Sequence, residues 1–396
     1  MNKLLKIGAI ASAIAAMYST NALADSASTK GGLTIKSDDG RFEGTLGGRL
    51  QYDYTAFQAD NEAVGGHTTT ADGPYMRRAY ITLSGKIYDF KYKLENDFAG
   101  GSTGYASKEL WIGHDLFGGF IKAGHMQPAY GMEELTSSNE LLFTERPFIS
   151  NNTVFSGREF QNGVSYNADG HGMTGMVTIY NANTADDKAT GANPVNGSGY
   201  SGRGTWAPIN DNGSVLHLGL AIDEAKFSDG TLPAAVSALY AEKNGSKITV
   251  ASAGYKSQTT FVGELAGAVG PFTAQAEYAN AKYKYPAAAD QTLDSFYVQA
   301  SWMITGESKP YKAAAGVFGN PKPNSVDGAW EAKVRYDYVK NKDLATAPKA
   351  SEISLGVNYY FNDKVRMMLD YNIGNGETTA GKDKPKALVA RAQLAF

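Results

Sequence analysis

The chain has 396 residues with 45 glycines, 24 tyrosines and no cysteine, and its 37 basic and 40 acidic side chains nearly balance. The mild acidity argues against nucleic acid as a partner, and the lack of cysteine excludes a small domain held by disulfides. After residue 24 no apolar run approaches the roughly 20 residues that a membrane-spanning helix needs, so a helical membrane protein is also excluded.

The first 24 residues have the pattern of a secretory signal peptide. Lys3 and Lys6 precede an apolar run that ends at Met17, and Ala22-Leu23-Ala24 matches an A-x-A cleavage site. We predict cleavage after Ala24, which leaves one mature domain, residues 25–396. Loss of two lysines changes the balance from 37 and 40 to 35 and 40, so the formal charge becomes −5.

Apolar and polar residues then alternate with a period of two, which indicates strands with one apolar and one wet face. In residues 45–54, Leu46 and Leu50 share one face, whereas Arg49 and Asp53 share the other. Further segments of this kind are residues 78–87, 90–98, 109–116, 160–167, 173–181, 215–223, 248–256, 261–269, 272–283, 293–304, 329–339, 352–361, 365–371 and 387–396. The pattern predicts an all-β chain.

Turn and loop residues separate these segments, and the connections alternate between short and long. Asn196-Gly197-Ser198-Gly199 and residues 324–328 read as loops, whereas Asn362-Asp363 reads as a tight turn. Short turns at one end and long loops at the other are typical of an outer-membrane barrel. The mature length fits about 16 antiparallel strands and leaves 18 open, and a barrel that wide encloses water.

Two other kinds of protein could carry part of this pattern, namely a soluble β-sandwich and an outer-membrane enzyme. A soluble β-sandwich also alternates, but at this length it would form two domains with a linker. The terminal strand, in which Leu394 and Phe396 share the apolar face, instead resembles a signal for outer-membrane assembly. An outer-membrane enzyme would need a reactive site, yet the five histidines lack ligand spacing and no catalytic or cofactor motif occurs. We therefore predict no enzyme activity and no cofactor.

Two adjacent arginines, Arg77 and Arg78, form an unusual pair within Tyr75-Met76-Arg77-Arg78-Ala79-Tyr80. Neighbouring strand residues point to opposite faces, so both can reach water only if one lies at a bulge or a strand end. One interpretation is an interfacial arginine beside a lumen arginine. The other is an anion-attracting constriction, because guanidinium groups form paired hydrogen bonds to phosphate or carboxylate.

A long segment, residues 126–158, shows no sustained alternation. A loop of that length usually has a function. Folded into the lumen it would narrow the pore, and its charged side chains would be Glu133, Glu134, Glu140, Glu145 and Arg146.

These residues resemble the family of phosphate-selective porins O and P of outer membranes. The resemblance covers most of the mature chain in matching order. It is carried by residues 46–54, 75–80, 215–220, 274–278, 305–307, 328–331, 335–337 and 355–359. It implies a 16-stranded barrel in the outer membrane, in contact with lipid, with a third loop folded inward, and a homotrimer.

The resemblance also assigns residues to the anion path, namely Arg49, Arg77, Arg78, Tyr80, Lys91 and Arg146. The constriction loop would include Glu133, Glu134, Asn139 and Glu145. Two departures from the family stand out. Glu134 and Asn139 occupy a stretch where phosphate-selective members carry lysines, and residues 229–255 lack the family's arginine ladder.

The leading hypothesis is therefore a passive channel for small anions such as phosphate. A general, weakly selective porin is the alternative within channels, because the loop glutamates would offset the arginines. An outer-membrane enzyme and an adhesin are alternatives of other classes. The row of ionisable residues on the wet faces favours a channel.

Overall fold

The protein is described by a computed structural model. It covers residues 26–28, 33–58, 60, 64, 72–99, 106–155, 157–182, 197–211, 213–228, 232–240 and 246–396. The predicted signal peptide, residues 1–24, lies outside the described residues. Among the residues described, no helix is both long and apolar enough to cross a membrane.

Sixteen strands form a closed antiparallel barrel. They are β3 (Phe42–Gln58), β4 (Gly73–Ile87), β5 (Phe90–Asp97), β6 (Ala106–Leu116), β7 (Gly119–Met126), β8 (Gln161–Gly170), β9 (Met173–Tyr180), β10 (Gly197–Asp211), β11 (Ser214–Phe227), β14 (Ser257–Val269), β15 (Phe272–Lys284), β16 (Gln291–Met303), β19 (Ala329–Asn341), β20 (Lys349–Tyr360), β21 (Val365–Thr378) and β23 (Lys386–Ala395).

Smaller elements accompany the barrel. They are β1 (Ser26–Ser28), β2 (Leu33–Lys36), helix α1 (Met132–Leu135), β12 (Val236–Leu239), β13 (Lys247–Ala251), β17 (Tyr311–Lys312), β18 (Val317–Phe318) and β22 (Gly381–Asp383). The pairs β12–β13 and β17–β18 are hairpins, and β2 pairs antiparallel with the first residues of β3.

The barrel closes where β23 pairs with β3. The ladder runs from the Lys386 and Gln58 pair to the Ala395 and Arg49 pair, so the last strand meets the first in register. Phe396 continues this ladder, because its backbone exchanges hydrogen bonds of 3.0 and 2.9 Å with Gly48. A side chain at Gly48 would collide with the Tyr80 carbonyl and the Phe396 ring. The terminal phenylalanine is therefore part of the seam.

The two ends of the barrel differ in their connections. At one end most turns have two residues, and Phe117-Gly118 has positive φ at both positions, as a type I′ turn requires. The predicted turn at Asn362-Asp363 is confirmed between β20 and β21. The other end carries the long loops, which include residues 127–160 and 228–256. Short turns mark the periplasmic end of such barrels.

The barrel is built inside out relative to a soluble protein. On β23, Leu388 and Leu394 are 43% and 40% exposed, whereas Arg391 and Gln393 are 1% and 3% exposed. This alternation recurs on the other barrel strands, so the polar residues face the lumen and the apolar residues face outward. Such an outer surface is stable only against lipid or another apolar partner.

The described residues of the segment 127–160, hereafter the inner loop, lie inside the barrel. Their backbone contacts lumen side chains of distant strands, for example Glu277 on β15, Asp337 on β19 and Asp370 on β21. The β12–β13 hairpin packs with the inner loop in one apolar cluster that includes Phe148, Val236 and Ile248. The lumen beside β11 to β21 is thus filled by protein.

The sequence predicted most strands but misassigned two regions. Residues 196–199 were predicted to be a loop, yet β10 begins at Gly197. Its outer face carries Gly202 and Gly204, so the apolar alternation is weak. Residues 248–256 were predicted to be one strand of the barrel, but Lys247–Ala251 belongs to the β12–β13 hairpin. Ile248 and Val250 alternate because they pack inside the lumen.

Candidate functional site

The pair Arg77 and Arg78 lies at a β-bulge. On β3 the consecutive residues Gln51 and Tyr52 pair with Arg78 and Met76, so Arg77 is the extra residue of β4. Since an extra residue shifts the alternation, both guanidinium groups reach the lumen. This confirms the sequence argument that the two arginines share a face only if one occupies a bulge.

Both arginines meet Glu145 of the inner loop. Arg77 binds the carboxylate with two nitrogens, one of them at 2.8 Å, Arg391 approaches at 3.2 Å and Arg78 at 3.9 Å. Burial alone would raise the pKa of Glu145, but the charges of Arg77 and Arg78 hold that pKa well below its usual range. Glu145 is thus a permanent anion that ties the inner loop to β4 and β23.

Arg49 lies beside this cluster and keeps some contact with solvent. Its guanidinium donates to Ser138 Oγ of the inner loop at 2.5 Å and to Glu95 at 3.1 Å, and it stacks 4.5 Å above the Tyr80 ring. Its side chain is 11% exposed, against 5% for Arg78. The structure therefore brings Arg49, Arg77, Arg78 and Tyr80 together, and their place on an anion path stays a prediction.

Lysines extend this cationic surface along the lumen face of β5 to β7. Lys93 lies 3.4 Å from Glu109, which also accepts a 2.6 Å hydrogen bond from the Trp111 indole. Lys122 lies 5.6 Å above the Trp111 ring. Lys108 lies 3.7 Å from Glu159. Because Lys93 is 26% exposed, solvent reaches this wall. We call the lumen face of β4 to β7 the basic wall.

The cations of β19 and β23 are used differently. Lys333, Arg335 and Arg391 have fully buried side chains. They donate to the inner-loop carbonyls of Leu142, Glu145 and Thr144 at 2.9, 3.0 and 2.6 Å. Sequence analysis did not select these residues, although alternation places them on wet faces. They hold the inner loop and are withdrawn from solvent.

Arg146 has a similar structural task. It is 4% exposed and donates to the carbonyls of Glu133, Glu134 and Thr136, the last at 2.7 Å. Two of these carbonyls belong to α1 and the third follows it directly, so Arg146 ties the second half of the inner loop to its helix. Its predicted place on the anion path stays a prediction.

Lys91 lies apart from the arginines. It is four residues along β5 from Glu95, which is about 13 Å, and it pairs with Asp115 at 2.7 Å near the short-turn end. Its register partner on β4 is another lysine, Lys86. Lys91 thus extends the basic wall toward the periplasmic end.

The predicted constriction residues mostly face away from solvent. Glu133 accepts from Gln275 at 2.9 Å and Glu134 accepts from the Asn151 backbone at 2.8 Å, and both are 2% exposed. The Asn139 carbonyl accepts from Gln393 at 3.0 Å. The expectation that the loop glutamates would face the pore and offset the arginines therefore fails for Glu133 and Glu134, because Glu133 is buried against β15 and Glu134 is buried within the inner loop.

A closed barrel of 16 strands, with an apolar exterior and a charged, solvent-accessible lumen, defines an outer-membrane porin. The chain belongs to the family "Phosphate-selective porin O and P", whose model matches residues 45–396. It is 31% identical to Porin O of Pseudomonas aeruginosa, with 98% of this chain and 99% of that protein covered. This agrees with the resemblance read from the sequence.

Solved porins share the fold at low sequence identity. The anion-selective porin from Comamonas acidovorans is 14% identical with a TM-score of 0.58, covering 89% of this chain and 99% of that chain. In-vitro folded OmpT of Vibrio cholerae is 10% identical with a TM-score of 0.58, covering 92% and 99%. The outer-membrane channel DcaP of Acinetobacter baumannii is 14% identical with a TM-score of 0.55, covering 91% and 99%. These proteins support the barrel architecture.

Proposed function

We propose that this porin conducts small anions such as phosphate, and that they pass along the basic wall. The observation that carries the proposal is an excess of positive charge there. Lys86 and Lys91 are directly opposed across β4 and β5, and carboxylates offset them, since Asp115 pairs with Lys91 at 2.7 Å and Glu43 is opposite Lys86 on β3. Within the described residues, Lys122 has no carboxylate within 4 Å. An anion in the lumen would supply a partner for Lys122.

The inner loop increases the preference for anions because its carboxylates are kept away from the solute. Glu133 is turned toward Gln275 on β15, Glu134 is buried within the inner loop, and Glu145 is neutralised by Arg77 and Arg391. Arg49 and Lys93 stay partly exposed, so a passing solute meets mainly cationic side chains. Guanidinium and ammonium groups in a narrow lumen replace part of the hydration of an anion. Together with membership of the porin family, this favours a channel over an enzyme or an adhesin.

Planar-bilayer recordings of the purified protein test this function. Under a chloride gradient we expect a reversal potential that indicates anion selectivity, and we expect added phosphate to block the chloride current. Arg49→Gln should weaken the block about tenfold, because a charge-assisted contact contributes about 1.5 kcal/mol. Lys364→Gln, in an exposed periplasmic turn, serves as the control.

Recordings without anion selectivity, or without any current, would indicate a different function. Cation selectivity, or no selectivity, would assign the protein to general diffusion. A barrel that inserts into the bilayer but does not conduct would favour the enzyme or the adhesin hypothesis.

We further propose that the protein forms a homotrimer through the sector β5 to β9. Strands β5, β7 and β9 have only eight residues each, whereas a strand that spans the membrane needs about 9 to 11. The wall of this sector also includes polar groups, because Ser107 on β6 donates to Asn96 on β5 at 3.2 Å. A wall that is short and partly polar fits a protein neighbour better than lipid.

Native mass spectrometry in detergent tests the trimer. Ile112 on β6 is 63% exposed, so Ile112→Gln would place an amide in the contact and should shift the population from trimer to monomer. Leu355→Gln on β20, where the native side chain is 46% exposed, is the matched control and should leave the trimer intact. Loss of trimer in the control alone would place the interface elsewhere.

A further inference from the structure

We propose that the outer surface of β10 to β20 is a binding site for a phosphorylated lipid of the outer leaflet. The proposal combines two features that lie on the same strands. One is an apolar groove at mid-height, and the other is a row of lysines above it, at the end with the long loops. Nothing in the proposed ion pathway requires either feature, because both lie outside the barrel.

The groove is a shallow, open depression with a volume of about 1100 Å³, lined mostly by outward-facing residues of β9 to β16. Its walls include Trp206, Leu220, Leu265 and Phe296. Its depth comes from Gly204 and Gly263, where a Cβ atom would meet nothing within 4 Å. An acyl chain fits such a depression, whereas flat barrel surface offers it only side-chain tips.

The lysine row follows the outer face at the long-loop ends of the same strands. It consists of Lys226 on β11, Lys282 and Lys284 on β15, Lys340 on β19, Lys342 just after β19, and Lys349 on β20. On β15, Lys282 follows the groove residue Tyr278 by four residues, which is about 13 Å. That separation matches a lipid whose headgroup lies above its acyl chains.

Carboxylates neutralise part of this row. Glu224 pairs with Lys226 at 2.8 Å, Asp290 with Lys282 at 3.3 Å, Asp294 with Lys342 at 2.5 Å and Glu377 with Lys349 at 3.1 Å. In the described part of the chain, Lys284 and Lys340 have no ion pair.

One like-charge contact shows that the row still lacks negative charge. Lys340 is directly opposite Lys349 in the β19–β20 ladder. Lys226 and Lys284 lie farther apart, on either side of Ser257 in adjacent ladders. Like charges in register are unfavourable, and a phosphate with two or more acceptor oxygens would offset the contact between Lys340 and Lys349.

The occupant is a lipid headgroup and not free phosphate, because the row stands directly above an apolar groove at the height of the outer leaflet. Basic side chains near a membrane surface attract anionic headgroups by about 1 kcal/mol each. This leaves each outer surface with one neighbour: we assign β10 to β20 to lipid and the sector β5 to β9 to a second copy of the protein.

The test is retention of diphosphorylated lipid A by the purified trimer in detergent, counted by native mass spectrometry, with phosphatidylethanolamine, a zwitterion of zero net charge, as the comparison. We expect the wild-type protein to retain lipid A selectively. The triple variant K282E/K284E/K340E should bind it at least tenfold more weakly. Lys364→Glu, the same charge change at the periplasmic end, should bind it as the wild type does.

A second variant isolates the groove. Gly263→Leu places a side chain in open space and should weaken lipid A binding while the barrel folds and conducts normally. Equal binding of lipid A and phosphatidylethanolamine, or competition by inorganic phosphate alone, would overturn the proposal. Loss of the trimer in either variant would identify this face as a contact between copies instead. Ion selectivity should not change in any of these variants, so failure here leaves the proposed channel function intact.

Discussion

Glu145→Ala is expected to lower the free energy of unfolding of the barrel by about 3 kcal/mol or more, because it leaves buried arginine charge unpaired. Arg77 would lose both of its carboxylate contacts, and Arg391 would keep only Asp53. The inner loop would lose its tie to β4, so single-channel current should become larger and noisier. Equilibrium unfolding in guanidinium, followed by tryptophan fluorescence, measures the first effect.

Glu140→Ala is the control in the same loop. Glu140 pairs only with Lys312, whose side chain is 49% exposed, so its loss should change stability by less than about 1 kcal/mol. If both variants unfold alike and conduct alike, Glu145 does not hold the loop.

Reversal of two charges on the basic wall is expected to have the largest effect on selectivity. In the double variant K93E/K122E the lumen changes by four charge units. At about 8 Å in water each unit contributes about 0.5 kcal/mol before screening, so the total is about 1 to 2 kcal/mol with salt present. The ratio of anion to cation permeability should fall about tenfold or more, and cations could become the preferred ion. Reversal potentials in a salt gradient measure this ratio.

The control for this variant is K282E/K284E, which changes the same number of charges on the outside of the barrel. It should leave the permeability ratio unchanged, because water and protein separate those side chains from the lumen. If inner and outer variants shift the ratio equally, selectivity is a property of the whole charge distribution and not of the basic wall.

The sequence by itself determined the inside-out barrel. The alternation of apolar and polar residues can be read from a short stretch of sequence. It was clear wherever large apolar residues marked the outer face. It failed at β10, where Gly202 and Gly204 remove the apolar signal. It misled at Lys247–Ala251, because Ile248 and Val250 are buried inside the lumen and a buried hairpin alternates like a membrane strand.

For Arg77 and Arg78 the sequence set the condition, because two adjacent strand residues share a face only at a bulge or a strand end, and the structure supplied the bulge. Only the tertiary structure decided which charges remain available to a solute. Charges that look equivalent in the sequence differ by their partners across the lumen: Lys333 and Arg335 hold loop carbonyls, whereas Lys93 keeps contact with solvent. Those partners come from residues far apart in the chain, and their pairing depends on where the inner loop lies.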